Sequence, residues 1–176
     1  MEYLSVKAKG RCVRVTESAV LLSLLLCGGC GSRQSADGRH AAVKGDVQSF
    51  MRSVAENVTM QGPAAWQNYF ENSPSFFMAA DGRLQFSDGA AAQAAIPNLI
   101  RTIKKIELRW GDGLRVDPLT DDLAVIAAPW HEVMTLVDGN RLNTSGYFTA
   151  VAESRNGRWQ FRNAHWSTTQ PAGSAK

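Results

Sequence analysis

The chain has 176 residues, 44% hydrophobic and 20% charged, a composition that excludes a coiled coil or a disordered polymer and allows one globular domain. Its formal charge of +3 is concentrated at the start. Lys7, Lys9, Arg11 and Arg14 stand before Cys30 with only Glu2 and Glu17 against them, which leaves 15 basic and 14 acidic residues from Cys30 onward. That near-neutral balance argues against nucleic acid as a partner, since such binding rests on clustered Lys and Arg facing phosphates.

Ala19 to Cys27 form a mostly apolar run of nine residues, well short of the roughly 20 that a membrane-spanning helix needs. Positive charge before it and small residues after it are the pattern of a secretory signal sequence, expected over residues 1–29. The following Cys27-Gly28-Gly29-Cys30-Gly31 resembles the lipobox of bacterial lipoproteins, in which small residues precede a lipid-bearing Cys. The resemblance implies lipid on Cys30 and a membrane-anchored protein of the cell envelope; cleavage without lipid would give a soluble periplasmic or secreted one. The spacing Cys27-x-x-Cys30 also matches a redox motif, but here it abuts an apolar leader rather than opening a helix of a folded unit.

Residues 30–45 are polar, small and without periodicity, and are expected to form a flexible tether. The domain is expected over 46–168, with a disordered tail at 169–176. Asp46 is placed to cap a helix whose Val47, Phe50, Met51, Val54 and Val58 fall on one face. Gly62-Pro63 ends it and opens a second, short helix over Ala64 to Phe70. Asp81-Gly82 joins two short strands, Phe76 to Ala80 and Arg83 to Phe86, as a tight hairpin. Ser87-Asp88 then cap a helix to about Ile103, with Ile96, Leu99, Ile100 and Ile103 inward; Pro97 inside it predicts a kink or a later start. Ile106 to Trp110 reads as a strand, and Leu123 to Val137, Arg141 to Glu153 and Arg158 to Thr168 read as long strands joined by tight turns. Segregated helices followed by an antiparallel meander make an α+β domain.

This order, with Gly157-x-Trp159 in the last segment and His165-x-Ser167 six residues after that Trp, resembles the SnoaL-like branch of the nuclear-transport-factor-2-like superfamily. Phe70, Gly89 and Asp122-x-Ala124 also fit. The resemblance implies a cone-shaped barrel, in which a curved antiparallel sheet wraps around helices and leaves an open-ended pocket on its concave face. It also implies pairing of two subunits through the convex face, hence a homodimer. The superfamily hosts isomerases, cyclases, dehydratases and non-enzymes, so fold does not supply function. Isomerase-type chemistry there needs an Asp base and an oxyanion hole from a Tyr and a protonated Asp. Phe50 and Met51 replace a Tyr in the first helix, Thr149 stands near one oxyanion position, and Asp81 sits in turn chemistry, so steroid-isomerase activity is disfavoured.

Residues two apart on a strand share a face. On that basis Ala124, Ile126, Ala128, Trp130 and Glu132 are expected on the concave face, with Tyr147, Thr149 and Val151 of the next strand. Trp159, Phe161, Asn163, His165 and Ser167 would join them from the last, unless a bulge reverses a strand. The candidate ligand-binding residues are therefore Trp130, Glu132, Tyr147, Thr149, Asn163 and His165, with His165 inside the cone near Tyr147 or Glu132. Phe148, Ala150 and Trp166 would then form an exposed apolar dimer face. His131 and Glu132 point to opposite faces, which argues against a metal site, and no cofactor is expected. The functional expectation is a small-ligand-binding or accessory module with no recognisable catalytic set. The alternative is a small isomerase, cyclase or dehydratase using His165 with Glu132 or Asp81.

Overall fold

The computed structural model describes residues 31–169; the leader, Cys30 and the tail beyond Thr169 lie outside the described residues. Helix α1 spans Gly31–Gln61 and is followed by a 3-10 helix, Gly62–Asn68. Strands β1 (Phe77–Ala80) and β2 (Arg83–Phe86) precede helix α2 (Gly89–Thr102). Then come β3 (Ile103–Trp110), β4 (Arg115–Pro118), β5 (Leu123–Leu136), β6 (Arg141–Arg155) and β7 (Arg158–Thr168). The helix expected to start at Asp46 begins at Gly31 instead, where a tether was expected. Val43 extends the apolar face of α1 by one turn and is buried with Val47, Met51, Val54 and Val58.

Local chemistry accounts for the element ends. Asp81 (φ 46°) and Gly82 (φ 78°) both adopt positive φ, as a two-residue primed hairpin turn requires. The Asp88 carboxylate accepts from Ala91 N at 2.7 Å and caps α2, which continues without interruption through Pro97. Of the side chains expected inward on α2, Ile96 is buried but Ile100 is exposed.

The sheet runs in the order β2-β1-β7-β6-β5-β3, with β4 also pairing β5. β3 and β4 both lie antiparallel to β5 and follow one another along its edge, separated by the turn at Gly111 to Gly113. β1 runs parallel to β7. The sheet is mixed and unclosed, as an α+β cone allows, and departs from the expected antiparallel pairing only at the β1–β7 pair. The parallel pair is possible because β2, α2 and β3 to β6 lie between β1 and β7 in the chain and supply the long crossover it needs.

The core lies between α1 and the concave face. Phe50 meets Phe161 at 4.9 Å between ring centres, and Phe148 packs on Phe161 and Trp166 at 5.3 and 4.5 Å. Phe148 and Phe161 are completely buried, worth roughly 2–3 kcal/mol each as transfer from water. Two polar contacts fix α1 on the sheet: Trp110 Nε1 donates to Met51 O at 2.7 Å, and Thr59 Oγ1 accepts from Leu108 N at 3.1 Å. Gly146 of β6 leaves no room for a side chain, because a Cβ there would collide with the Ser167 carbonyl of β7.

Candidate functional site

Which side chains enter the concavity is decided by pairing across β5, β6 and β7. Directly opposed residues on antiparallel strands share a face. Ala128 opposes Phe148, Trp130 opposes Gly146 and Glu132 opposes Thr144, so the inward set of β6 is Thr144, Phe148, Ala150 and Ala152. On β7 the pairing shifts between Val151↔Asn163 and Ala152↔Phe161, leaving Arg162 as an extra residue. This bulge keeps Phe161 inward and turns Ala164 and Trp166 inward after it. Asn163 stabilises the bulge, since its Oδ1 accepts from Val151 N at 3.1 Å.

The six candidate residues therefore divide. Trp130 and Glu132 face the concavity as expected. Tyr147, Thr149, Asn163 and His165 lie on the outer face, with Thr149 directly opposite His165 and Val151 opposite Asn163. Tyr147 is 43% exposed, and His165 is exposed as well. Among the described residues no hydrogen bond joins His165 to Tyr147 or Glu132, and the expected His165–Glu132 pair is separated by the thickness of the sheet. Phe148, Ala150 and Trp166, expected on an exposed dimer face, instead form part of the core or pack against it.

A pocket of about 340 Å³ opens between the concave face and the β1–β2 hairpin. Trp130, Glu132 and Met134 of β5 line one side, and Trp166 and Thr168 of β7 with Thr144 of β6 line the next. Trp66 closes it from the 3-10 helix and Phe70 from the segment after it, Met78, Ala80 and Phe86 from the hairpin, and Leu99, Ile103 and Ile106 from α2 and β3. A larger groove of about 720 Å³ runs between α1 and β3 beside Arg52, Glu56, Lys105, Glu107 and Arg109. That groove is rimmed by charges of both signs with their heads in solvent, whereas the smaller pocket is an apolar recess with a few polar groups, the usual form of a small-molecule site.

Two polar groups in the pocket stand out. Burial lifts the Glu132 carboxyl from its ordinary 4.5 to about 7, with no charged or hydrogen-bonded neighbour opposing the shift. Trp130 is 7% exposed, and its Nε1 is buried without a hydrogen-bond partner. Asp81 at the rim behaves oppositely. It accepts from Thr168 N at 2.7 Å and from Thr168 Oγ1 at 2.9 Å, and these bonds hold its carboxyl below the ordinary value. Both its oxygens are engaged, so it serves the hairpin rather than a proton-transfer role. Sequence reasoning missed Trp66, Trp166, Thr144 and Thr168; counting the register out from the turn at Asp138-Gly139-Asn140 would have found Thr144 opposite Glu132.

Because the folded state favours neutral Glu132, the native protein holds more protons than the unfolded chain between about pH 4.5 and 7. Its contribution to stability thus falls as pH rises through that window and stays low above it. A Glu132→Gln variant should match the parent near pH 4 and exceed it at pH 8 by up to about 3 kcal/mol. Urea unfolding at the two pH values measures this; a parent-to-variant difference that does not change with pH would contradict the burial of the carboxyl.

No protein-family model matches the chain, and a search of curated proteins gives no match. Solved structures do. A nuclear transport factor 2 (NTF2-like) superfamily protein from Salmonella enterica serovar Typhimurium superposes with a TM-score of 0.62 at 16% identity, covering 77% of this chain and 95% of its own. The hexachlorocyclohexane dehydrochlorinase LinA-type3 from Novosphingobium barchaimii gives 0.57 at 16% identity, covering 80% and 97%. An NTF-2-like protein of unknown function from Shewanella oneidensis gives 0.52 at 17% identity, covering 69% and 96%. With its helices laid on a curved, open, mixed sheet, the chain has the nuclear-transport-factor-2-like fold.

Proposed function

We propose that this protein is a small-ligand-binding module whose ligand occupies the recess lined by Trp66, Trp130, Trp166 and Glu132. The observation that carries the reading is one apolar recess, walled by Trp66, Trp130 and Trp166, that holds a half-buried carboxyl favoured toward its neutral form. Recognition of that kind, a few placed polar groups in an apolar wall, is how small-molecule sites hold and orient their ligands. A second reading, proton transfer by Glu132 itself, is favoured by its value of about 7, which suits a general acid or base at neutral pH. The enzyme names carried by similar structures, such as the dehydrochlorinase above, fit that reading, but His165 and Asp81 no longer take part in it. Glu132→Gln separates the two, keeping the ligand and losing turnover only if the second holds.

Export and a lipid on Cys30 complete the proposal. The support is the apolar run, too short to span a bilayer, and the small residues before Cys30; acyl chains there would hold the domain at a membrane. A homodimer through the outer face is also proposed, now on Phe77, Val125 and Tyr147, which are exposed there. Fractionation of a Cys30→Ser variant tests the anchor, which fails if the variant stays in the membrane fraction. Sedimentation tests the dimer, which fails if the domain runs as a monomer at micromolar concentration.

The pocket itself is tested by mass spectrometry of molecules extracted from the purified protein. Ala80 lines the recess beside the hairpin, and Ala80→Phe should fill it with little effect on the core. The parent is expected to carry an apolar ligand in at least tenfold excess over that variant. Equal recovery from both would place the ligand elsewhere.

A further inference from the structure

A further cleft, of about 450 Å³, lies where the β6–β7 turn meets the segment after the 3-10 helix. Five side-chain amides, Arg155, Arg158 and Glu71 line it, and its volume is within the roughly 300–1,000 Å³ of small-molecule sites. Glu71 is the one buried charged side chain among the described residues. Its Oε1 lies 2.6 Å from Arg155 Nη1, and Arg155 also donates from Nε and Nη2 to the two oxygens of Glu153 at 2.9 and 3.2 Å. Glu153 accepts from Arg162 Nη1 as well, at 3.1 Å. These two carboxylates and two guanidinium groups neutralise one another.

Arg158 stands outside that balance. Its Nη2 donates to Asn68 O at 2.9 Å, while among the described residues its Nε and Nη1 have no partner and it makes no ion pair. Gln160 Nε2 donates to the same carbonyl at 3.0 Å. Asn68 thus holds both side chains in place before any ligand arrives, which lowers the ordering cost of binding. The cleft presents one uncompensated positive charge, on a guanidinium whose donors match a carboxylate. The amides around it are of mixed character. Gln93 and Gln160 donate Nε2 to backbone carbonyls and keep Oε1 as an acceptor, and the side chains of Gln67 and Asn72 are unengaged among the described residues. Donors and acceptors side by side suit hydroxyl groups, which do both. A doubly charged phosphate would exceed the single positive charge and meet those acceptors.

We propose that this cleft is a second binding site, for a small polyhydroxylated carboxylate such as a sugar acid. Arg158 meets the carboxylate, and the surrounding amides meet the hydroxyl groups. Glu71 serves as a positioning residue, since it holds Arg155 against the wall and takes that charge out of the balance. The site is independent of the apolar recess, which has no arginine in its lining.

Four probes test this by NMR titration at low salt and neutral pH: glucuronate, glucose, cyclohexanecarboxylate and glucose 6-phosphate. Binding is read at the backbone amides of Asn72, Arg158 and Gln160, so occupation of the apolar recess does not register. In the parent protein glucuronate should shift these resonances and bind roughly tenfold tighter than glucose, the worth of one charge-assisted hydrogen bond. It should also bind several-fold tighter than cyclohexanecarboxylate, which has the charge and no hydroxyl groups. Arg158 is exposed, so Arg158→Gln should fold as the parent does and bring glucuronate to within about twofold of glucose. No response to glucuronate at these amides overturns the site. Glucose binding as tightly as glucuronate overturns the carboxylate, and so does a preference that survives in Arg158→Gln. Cyclohexanecarboxylate binding as tightly overturns the role of the hydroxyl groups, and tightest binding by glucose 6-phosphate overturns the singly charged class. None of these outcomes bears on the recess reading, which the extraction above tests separately.

Discussion

One extra residue in the last strand organises the concave face. A regular strand would carry Phe161, Asn163 and His165 on the same side. With Arg162 inserted, Phe161 stays inside, and Ala164 and Trp166 replace Asn163 and His165 there. An unpaired residue leaves a strained ladder, and Asn163 compensates by accepting from Val151 N through its side chain. Ala164 then sits against Ala150, and Trp166 against Phe148, while Trp110, Trp130 and Trp66 close around the Trp166 ring. The aromatic wall of the pocket is a consequence of that single offset.

The same wall produces the chemistry. Packing several large rings together excludes water from the inner end of β5, and Glu132 lies on that strand two residues beyond Trp130. A carboxyl placed there without a cation nearby loses hydration and gains nothing in exchange, so its neutral form is favoured near pH 7. Asp81 shows the contrast across the pocket, where two donations from Thr168 keep the charged form favoured. Two carboxyl groups lining one recess are thus driven apart by their surroundings, the half-buried one toward neutrality and the rim one toward charge.

Much of the fold was legible in the sequence because its signals are local. The α1 stripe from Val47 to Val58, the Asp81-Gly82 hairpin, the Asp88 cap and the three long strands depend on residues near one another, and all are present. The parallel β1–β7 pair was not legible, since its partners are distant in the chain; β4 pairs locally with β5 but is only four residues long and ends on Pro118, too short to show alternation. The early start of α1 was hidden because residues 37–45 are polar or small and carry one buried residue, Val43, where a longer stripe would have signalled it. In the site, β5 was read correctly through Trp130, whose bulk belongs inside, although the other face carries Val125, Ala127 and Pro129 and is nearly as apolar. β6 was not, because Tyr147, Thr149 and Val151 are nearly as apolar as Phe148, Ala150 and Ala152, and alternation alone does not choose between them. β7 failed for a different reason, as a bulge breaks the period on which any such reading depends.

The measurement that tests the account most directly is a carboxyl-carbon NMR titration of Glu132, with the pocket empty and then in the presence of naphthalene as an apolar probe. A buried acid in the ligand site should titrate with a midpoint of about 7 when the pocket is empty. Its midpoint should move higher when an apolar molecule displaces the remaining water. A midpoint at the ordinary 4.5, indifferent to the probe, would show Glu132 to be hydrated and remote from the ligand, and would contradict the assignment of this pocket as the functional site.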